Sequence, residues 1–228
     1  MSRLIELLSS APRLLVSLPR NDRELAKAAL DGGAEALKVH LNVHHDASGT
    51  HFGTLTEERK SLEAILRLAG HVPVGVVTGS ERVASRREVH SLREMGVDFF
   101  DLYAHHMPAW MIRLSEFGRM VAINSSYPLS MIQALVGIGM EILEAAVVAH
   151  EGYGKPLNVQ DLASYRLLRG AVSVPIVVPS QRKLTPEDAQ ILTKNIGIEG
   201  IMIGAIVTGK EPASLRHATE RFQRALAK

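Results

Sequence analysis

The sequence contains no cysteine. That absence removes disulfides, thiolate metal sites, iron–sulfur clusters and cysteine nucleophiles together. Aromatic residues make up only 4% of the 228 positions, so there is no platform on which nucleic-acid bases would stack. An excess of one charge sign is lacking too. Lysine and arginine number 26 against 24 aspartates and glutamates, and the densest basic cluster, Arg82 with Arg86 and Arg87, runs straight into Glu88. The electrostatic footprint of a nucleic-acid binder is therefore missing. Long apolar runs are absent as well. The opening MSRLIELLSSAPRLLVSLPR is cut by Glu6, Pro12 and Arg13, and no stretch approaches the roughly 20 apolar residues of a membrane span. It does not have a signal-peptide layout. Neither a nucleic-acid nor a membrane partner is expected, and a cytoplasmic protein is the default reading.

What is present is an alternation of short β-branched runs and amphipathic stretches. The runs are Leu14–Leu18, Ala36–Leu41, Val72–Val77, Val97–Tyr103, Met120–Asn124, a segment within Met140–Val148, Val174–Val178 and Gly200–Ile206. Helical patterns follow each, with caps expected at Asn21, Thr56, Asn158 and Thr185, and a shorter helix near Ala109–Phe117. Apolar strands joined by helices imply a parallel sheet covered on its outer face. Eight such units in 228 residues favour closure into a single (β/α)8 TIM barrel spanning residues 1–228 as one domain. The turn after the first run, Leu18-Pro19-Arg20-Asn21, has no glycine, which argues against a dinucleotide-binding sheet. Walker loop, nucleophile elbow and HExxH are absent, and no cofactor is expected.

Chemistry in such a barrel sits at the C-terminal strand ends. Along the second run Ala36, Lys38, His40 and Asn42 alternate with Leu37, Val39 and Leu41, which places a lysine, a histidine and an asparagine on the barrel side. A buried lysine is costly unless paired, and such lysines act as bases or imine-forming nucleophiles. On the fourth run Phe99, Asp101 and Tyr103 share a face, with His105 next in the alternation. Lys38, His40, Asp101 and His105 are accordingly the catalytic candidates. Asn42, Tyr103, Asn124 and Ser125 are candidates for holding substrate hydroxyls. Glu144 lies on the sixth run, whose register the pattern does not fix, and is read as an ordinary barrel charge. The loop after the second run carries His44, His45, Asp46, Ser48, Thr50 and His51 and is long enough to form a lid. Its spacing matches no known metal set, so no metal is assigned.

The last quarter reads VPIVVPSQRKLTPEDAQILTKNIGIEGIMIGAIVTG, a strand, loop, capped helix and second strand ending Ile203-Gly204-Ala205-Ile206. Loops after the seventh and eighth strands present backbone N–H groups to phosphate in many barrels. Ser180, Arg182, Lys183, Gly204 and Ala205 are the phosphate-binding candidates. The segment resembles the phosphate-binding barrels of the ribulose-phosphate-binding superfamily, and Gly32-Gly33-Ala34-Glu35 and Gly96-Val97-Asp98 extend the resemblance over most of the chain. VPVGVV and TPED with IMIGAIVTG also echo the N-acetylmannosamine-6-phosphate epimerases. That family expects a lysine at the end of strand three, where this chain has Thr78, and an acid at the end of strand seven, where it has Pro179. The resemblance thus implies the scaffold and a small phosphorylated substrate without implying the reaction.

Four functions stay open. The leading one is an isomerase- or epimerase-like enzyme moving a proton, or forming an imine, at a carbonyl carbon. The others are a class I lyase or aldolase using Lys38, a metal-dependent hydrolase or lyase using His40, His44 and His105, and a non-catalytic phospholigand-binding barrel. A homo-oligomer is left open, since no helix pattern singles out a partner face.

Overall fold

The apolar runs form the staves of a closed parallel barrel. A computed structural model describes residues 2–227. Its strands are β1 (Arg13–Ser17), β2 (Ala36–His40), the short β3 (Val43–His45) and β4 (Thr50–Phe52), β5 (Val74–Val77), β6 (Phe99–Tyr103), β7 (Gly118–Ile123), β8 (Ile142–Ala145), β9 (Ile176–Pro179) and β10 (Gly200–Ile203). All but β3 and β4 pair in parallel around the ring β1-β10-β9-β8-β7-β6-β5-β2. The register sets Ser17 beside Lys38, and Val77 beside Asp101. The helices are α1 (Arg3–Ser10), α2 (Arg23–Asp31), α3 (Leu55–Ala69), α4 (Arg86–Glu94), α5 (Leu129–Gly137), α6 (Val159–Ala171), α7 (Pro186–Gln190), α8 (Ala205–Thr208) and α9 (Pro212–Leu226).

Local chemistry explains most helix starts. Thr54, Ser85, Asn158 and Thr185 each close a reciprocal capping box with the acid three residues on, satisfying two orphan N–H groups. Two expected caps are displaced. Asp22 rather than Asn21 caps α2, accepting from Glu24 and Leu25 N–H, because Asn21 is spent on the backbone of His40. Thr54 rather than Thr56 caps α3, since it is the residue with an acid three positions later. The helix expected at Ala109–Phe117 is only a 3-10 turn over Ala109–Arg113. The eighth strand ends at Ile203, and the chain turns helical from Ala205, so Ile206 is not a strand residue.

Two cores result. Outward strand residues pack against the helices in a large apolar layer. Inside the barrel, Leu15, Ala36, Phe99, Met120, Ile142, Val177 and Met202 fill the N-terminal half, and Leu4 and Leu8 of α1 close it from below. Burying these two leucines contributes on the order of 3–6 kcal/mol. Asp98 latches the plug by accepting from Ser2 Oγ (2.6 Å), Arg3 N (3.0 Å) and Leu4 N (3.0 Å). Gly75 is required here: a Cβ at that point would stand 2.0 Å from the Phe99 ring. No helix among the described residues is long and apolar enough to cross a membrane.

Candidate active site

Above the apolar plug the barrel interior turns polar. Ser17, Lys38, His40, Asp101 and Glu144 are all buried there. Each comes from near the C-terminal end of its strand, where the alternation that buries Leu37 and Val39 outward points Lys38 and His40 inward. Lys38 Nζ donates to Asp101 Oδ2 at 2.7 Å and to Glu144 Oε2 at 2.9 Å. Burial alone would strip the ammonium of its proton, but the charges of Asp101 and Glu144 outweigh it and the pKa moves upward. Burial and the Glu144 charge push Asp101 well up. For Glu144, burial is outweighed by Lys38 and by a hydrogen bond from Asp101, and its pKa falls. The two carboxyls thus titrate as one unit, with the proton on Asp101 and the charge on Glu144. Asp101 Oδ1 is buried with no partner.

His40 forms the wall of this layer. Its ring lies 4.6 Å from that of Phe52 and 4.7 Å from that of His45, and its Nε2 is 3.5 Å from Ser17 Oγ. Burial, then the neighbouring His45 and Lys38, keeps it neutral by driving its pKa well down. Asn21 holds its backbone from both sides, accepting from His40 N and donating to His40 O. His45 and Phe52 belong to a hairpin of β3 and β4 that spans the loop expected as a lid. Asn42, at φ 51°, turns the chain into that hairpin, and its N–H closes the base on Gly53 O.

These groups surround a cavity of ≈ 290 Å³ at the C-terminal mouth. Of the sequence-derived candidates, Lys38, His40, Asp101 and Tyr103 line it, as do Ser180, Gly204 and Ala205 on the opposite rim. Ser180 Oγ accepts from Gly204 N at 2.8 Å. Burial and the Glu144 charge push the Tyr103 phenol up. Other candidates lie elsewhere. His105 is exposed and bonds Tyr127 through its ring, because β6 ends at Tyr103 and the strand alternation ends with it; His106 faces the cavity instead. Asn42 donates to Thr78 O and does not reach the cavity. Asn124 is occupied by Ser126 within its own turn, and Ser125 is exposed beside it. Arg182 is paired with Asp161 at 2.8 Å and donates to Gly152 O, both away from the mouth. Lys183 borders a separate outer groove with Thr185 and Arg221.

The expected histidine set is not assembled. Among the described residues no group of three or more His, Asp or Glu side chains is placed to hold a metal ion. Glu144, Tyr153 and Gln181 face the cavity without having been marked by any sequence pattern.

Solved structures superpose over nearly the whole chain. Tryptophan synthase from M. tuberculosis in an aminoacrylate-bound form matches at a TM-score of 0.73 and 15% identity, covering 99% of this chain and 100% of that one. A protein of Aquifex aeolicus VF5 matches at 0.72 and 13%, covering 99% of each. KGPDC from Streptococcus mutans, solved as a ligand complex, matches at 0.68 and 13%, covering 95% and 97%. This chain is a (β/α)8 barrel. Identities this low speak for the barrel alone. No protein-family model matches the sequence, and neither does any curated protein.

Proposed function

We propose that the barrel is an enzyme that moves a proton at the carbon beside a carbonyl in a small phosphorylated metabolite, an isomerase- or epimerase-like reaction. One arrangement carries the reading: Lys38 buried between Asp101 and Glu144 on the cavity floor, with Asp101 Oδ1 unpartnered. Glu144, held ionised by the ammonium, is the base that takes the proton. Asp101 carries a proton to return. Lys38 stays charged and stabilises the enolate oxygen as it forms. Two carboxyls pushed apart in pKa by their surroundings supply both an acid and a base at neutral pH.

This arrangement favours proton transfer over an imine. A class I lyase needs Lys38 neutral, and two carboxylates hold its proton in place. The phosphate part of the proposal is supported by Ser180, Gly204 and Ala205 on one rim, and by a barrel shared with KGPDC, an enzyme of the phosphate-binding barrel type. Arg182 and Lys183 have no part in it, so the anchor would consist of backbone and hydroxyl donors.

The test is hydrogen exchange in deuterated water, followed by proton NMR, over a panel of three- to six-carbon aldose and ketose phosphates and their unphosphorylated counterparts. Exchange beside the carbonyl is expected with a phosphorylated member, falling about 10²–10⁴-fold in Glu144→Gln. Binding without exchange for every member would mark a ligand-binding barrel. Covalent trapping of Lys38 by borohydride would instead establish the lyase.

A further inference from the structure

Gln181 is buried, and all of its polar atoms are used. Its Oε1 accepts from Val148 N at 3.0 Å. A backbone N–H can only donate, so this contact decides which end of the amide is oxygen. Nε2 must then be the donor to Ala146 O (3.2 Å) and to the Tyr153 hydroxyl (2.7 Å). The Tyr153 oxygen is therefore an acceptor in its bond to Gln181, and its own proton remains unspent. No described residue accepts that proton, and Tyr153 lines the cavity that holds Lys38, Asp101 and Glu144. Burial pushes the phenol up, and the charges of Asp46 and Glu144 add to this against the opposing Gln181 bond, so the proton stays on oxygen.

We infer that Tyr153 donates a hydrogen bond to the carbonyl or enolate oxygen of the substrate, and that Gln181 is a positioning residue that fixes the direction of that proton. The inference rests on the proton-transfer reading of the cavity and narrows it. The ligand must present an acceptor oxygen toward the loop after β8, and an ammonium or other donor-only group would meet an O–H head-on. The donor comes from a different element from Lys38, so the forming oxyanion is held from two sides.

Matched probes separate this inference from the reading beneath it. The protein carries four tyrosines, and ¹³Cζ labelling resolves them, with Tyr153→Phe assigning the signal. Titration with dihydroxyacetone phosphate is expected to shift the Tyr153 resonance. In Gln181→Glu the shift should disappear, because the carboxylate now accepts the phenolic proton. For any sugar phosphate whose hydrogen the enzyme exchanges, Tyr153→Phe should lower kcat about 10²-fold while KM stays within about twofold. A Tyr153 shift with dihydroxyacetone but none with its phosphate upholds the donor and removes the phosphorylated-substrate reading. A Tyr153 signal unmoved by either probe overturns the inference, as does wild-type exchange by Tyr153→Phe.

Discussion

Replacing Lys38 with methionine tests the centre of the site through stability alone. The substitution keeps the length and apolar stem of the side chain but leaves Asp101 and Glu144, 2% and 9% exposed, without a cation. Removing one partner of a buried ion pair costs about 3–5 kcal/mol, a large part of the 5–15 kcal/mol that holds a typical domain together. The pH dependence separates this from a packing defect. In the wild type Glu144 sits below its ordinary 4.5, so its contribution is complete above that value and fades only as pH falls below it. Stability should thus be flat between pH 7.5 and 5.5 as far as this residue is concerned. Without Lys38 the sign reverses. The Glu144 carboxyl is then raised in the folded state, and its penalty grows with pH above 4.5. Lowering the pH by two units returns up to about 2.7 kcal/mol. Urea denaturation at pH 7.5 and 5.5 measures both numbers. A deficit below about 1 kcal/mol at pH 7.5, or an equal deficit at the two pH values, would refute the buried-triad argument. Lys38→Met combined with Glu144→Gln should recover more than half of the loss.

Other perturbations reach different parts of the molecule. Asp98→Ala removes three hydrogen bonds from the start of α1 and should cost about 2–4 kcal/mol by thermal unfolding, with exchange activity intact below the transition. Gly75→Ala forces a methyl group into Phe99 and should cost about 1–3 kcal/mol or leave the protein insoluble; an unchanged melting temperature would contradict the packing described. Burial, then the Lys38 charge, lowers His45 from 6.5 to about 4. A depressed base stabilises above its ordinary value and loses that contribution as pH falls toward its folded value, so the hairpin over residues 43–52 should loosen between pH 6.5 and 4. Hydrogen exchange of those amides reads it, and His45→Phe should abolish the dependence.

The sequence revealed the barrel because its strands carry their own evidence. Lys38 and His40 alternate with three outward aliphatics, and Asp101 repeats the pattern two strands away, so their meeting was readable. Glu144 was not, because the run Ile142–Val148 is apolar on both sides of it and offers no second polar residue to set the phase. His105 shows the converse error. Alternation holds only while the chain is extended, and the turn after Tyr103 ends it. Arg182 looked like an anion ligand because a basic loop residue suggests one, yet its partner is Asp161, a capping acid 21 positions earlier. Tyr153 and Gln181 were illegible for a similar reason: their bond joins two loops 28 residues apart, and no periodicity records it.

The apolar plug beneath the site has a kinetic consequence. A vessel stoppered at its base by α1 has a single doorway, the mouth beside the β3–β4 hairpin. Substrate and product must take turns through it, so product should inhibit in strict competition with substrate. Turnover then cannot outpace the traffic that this one opening admits.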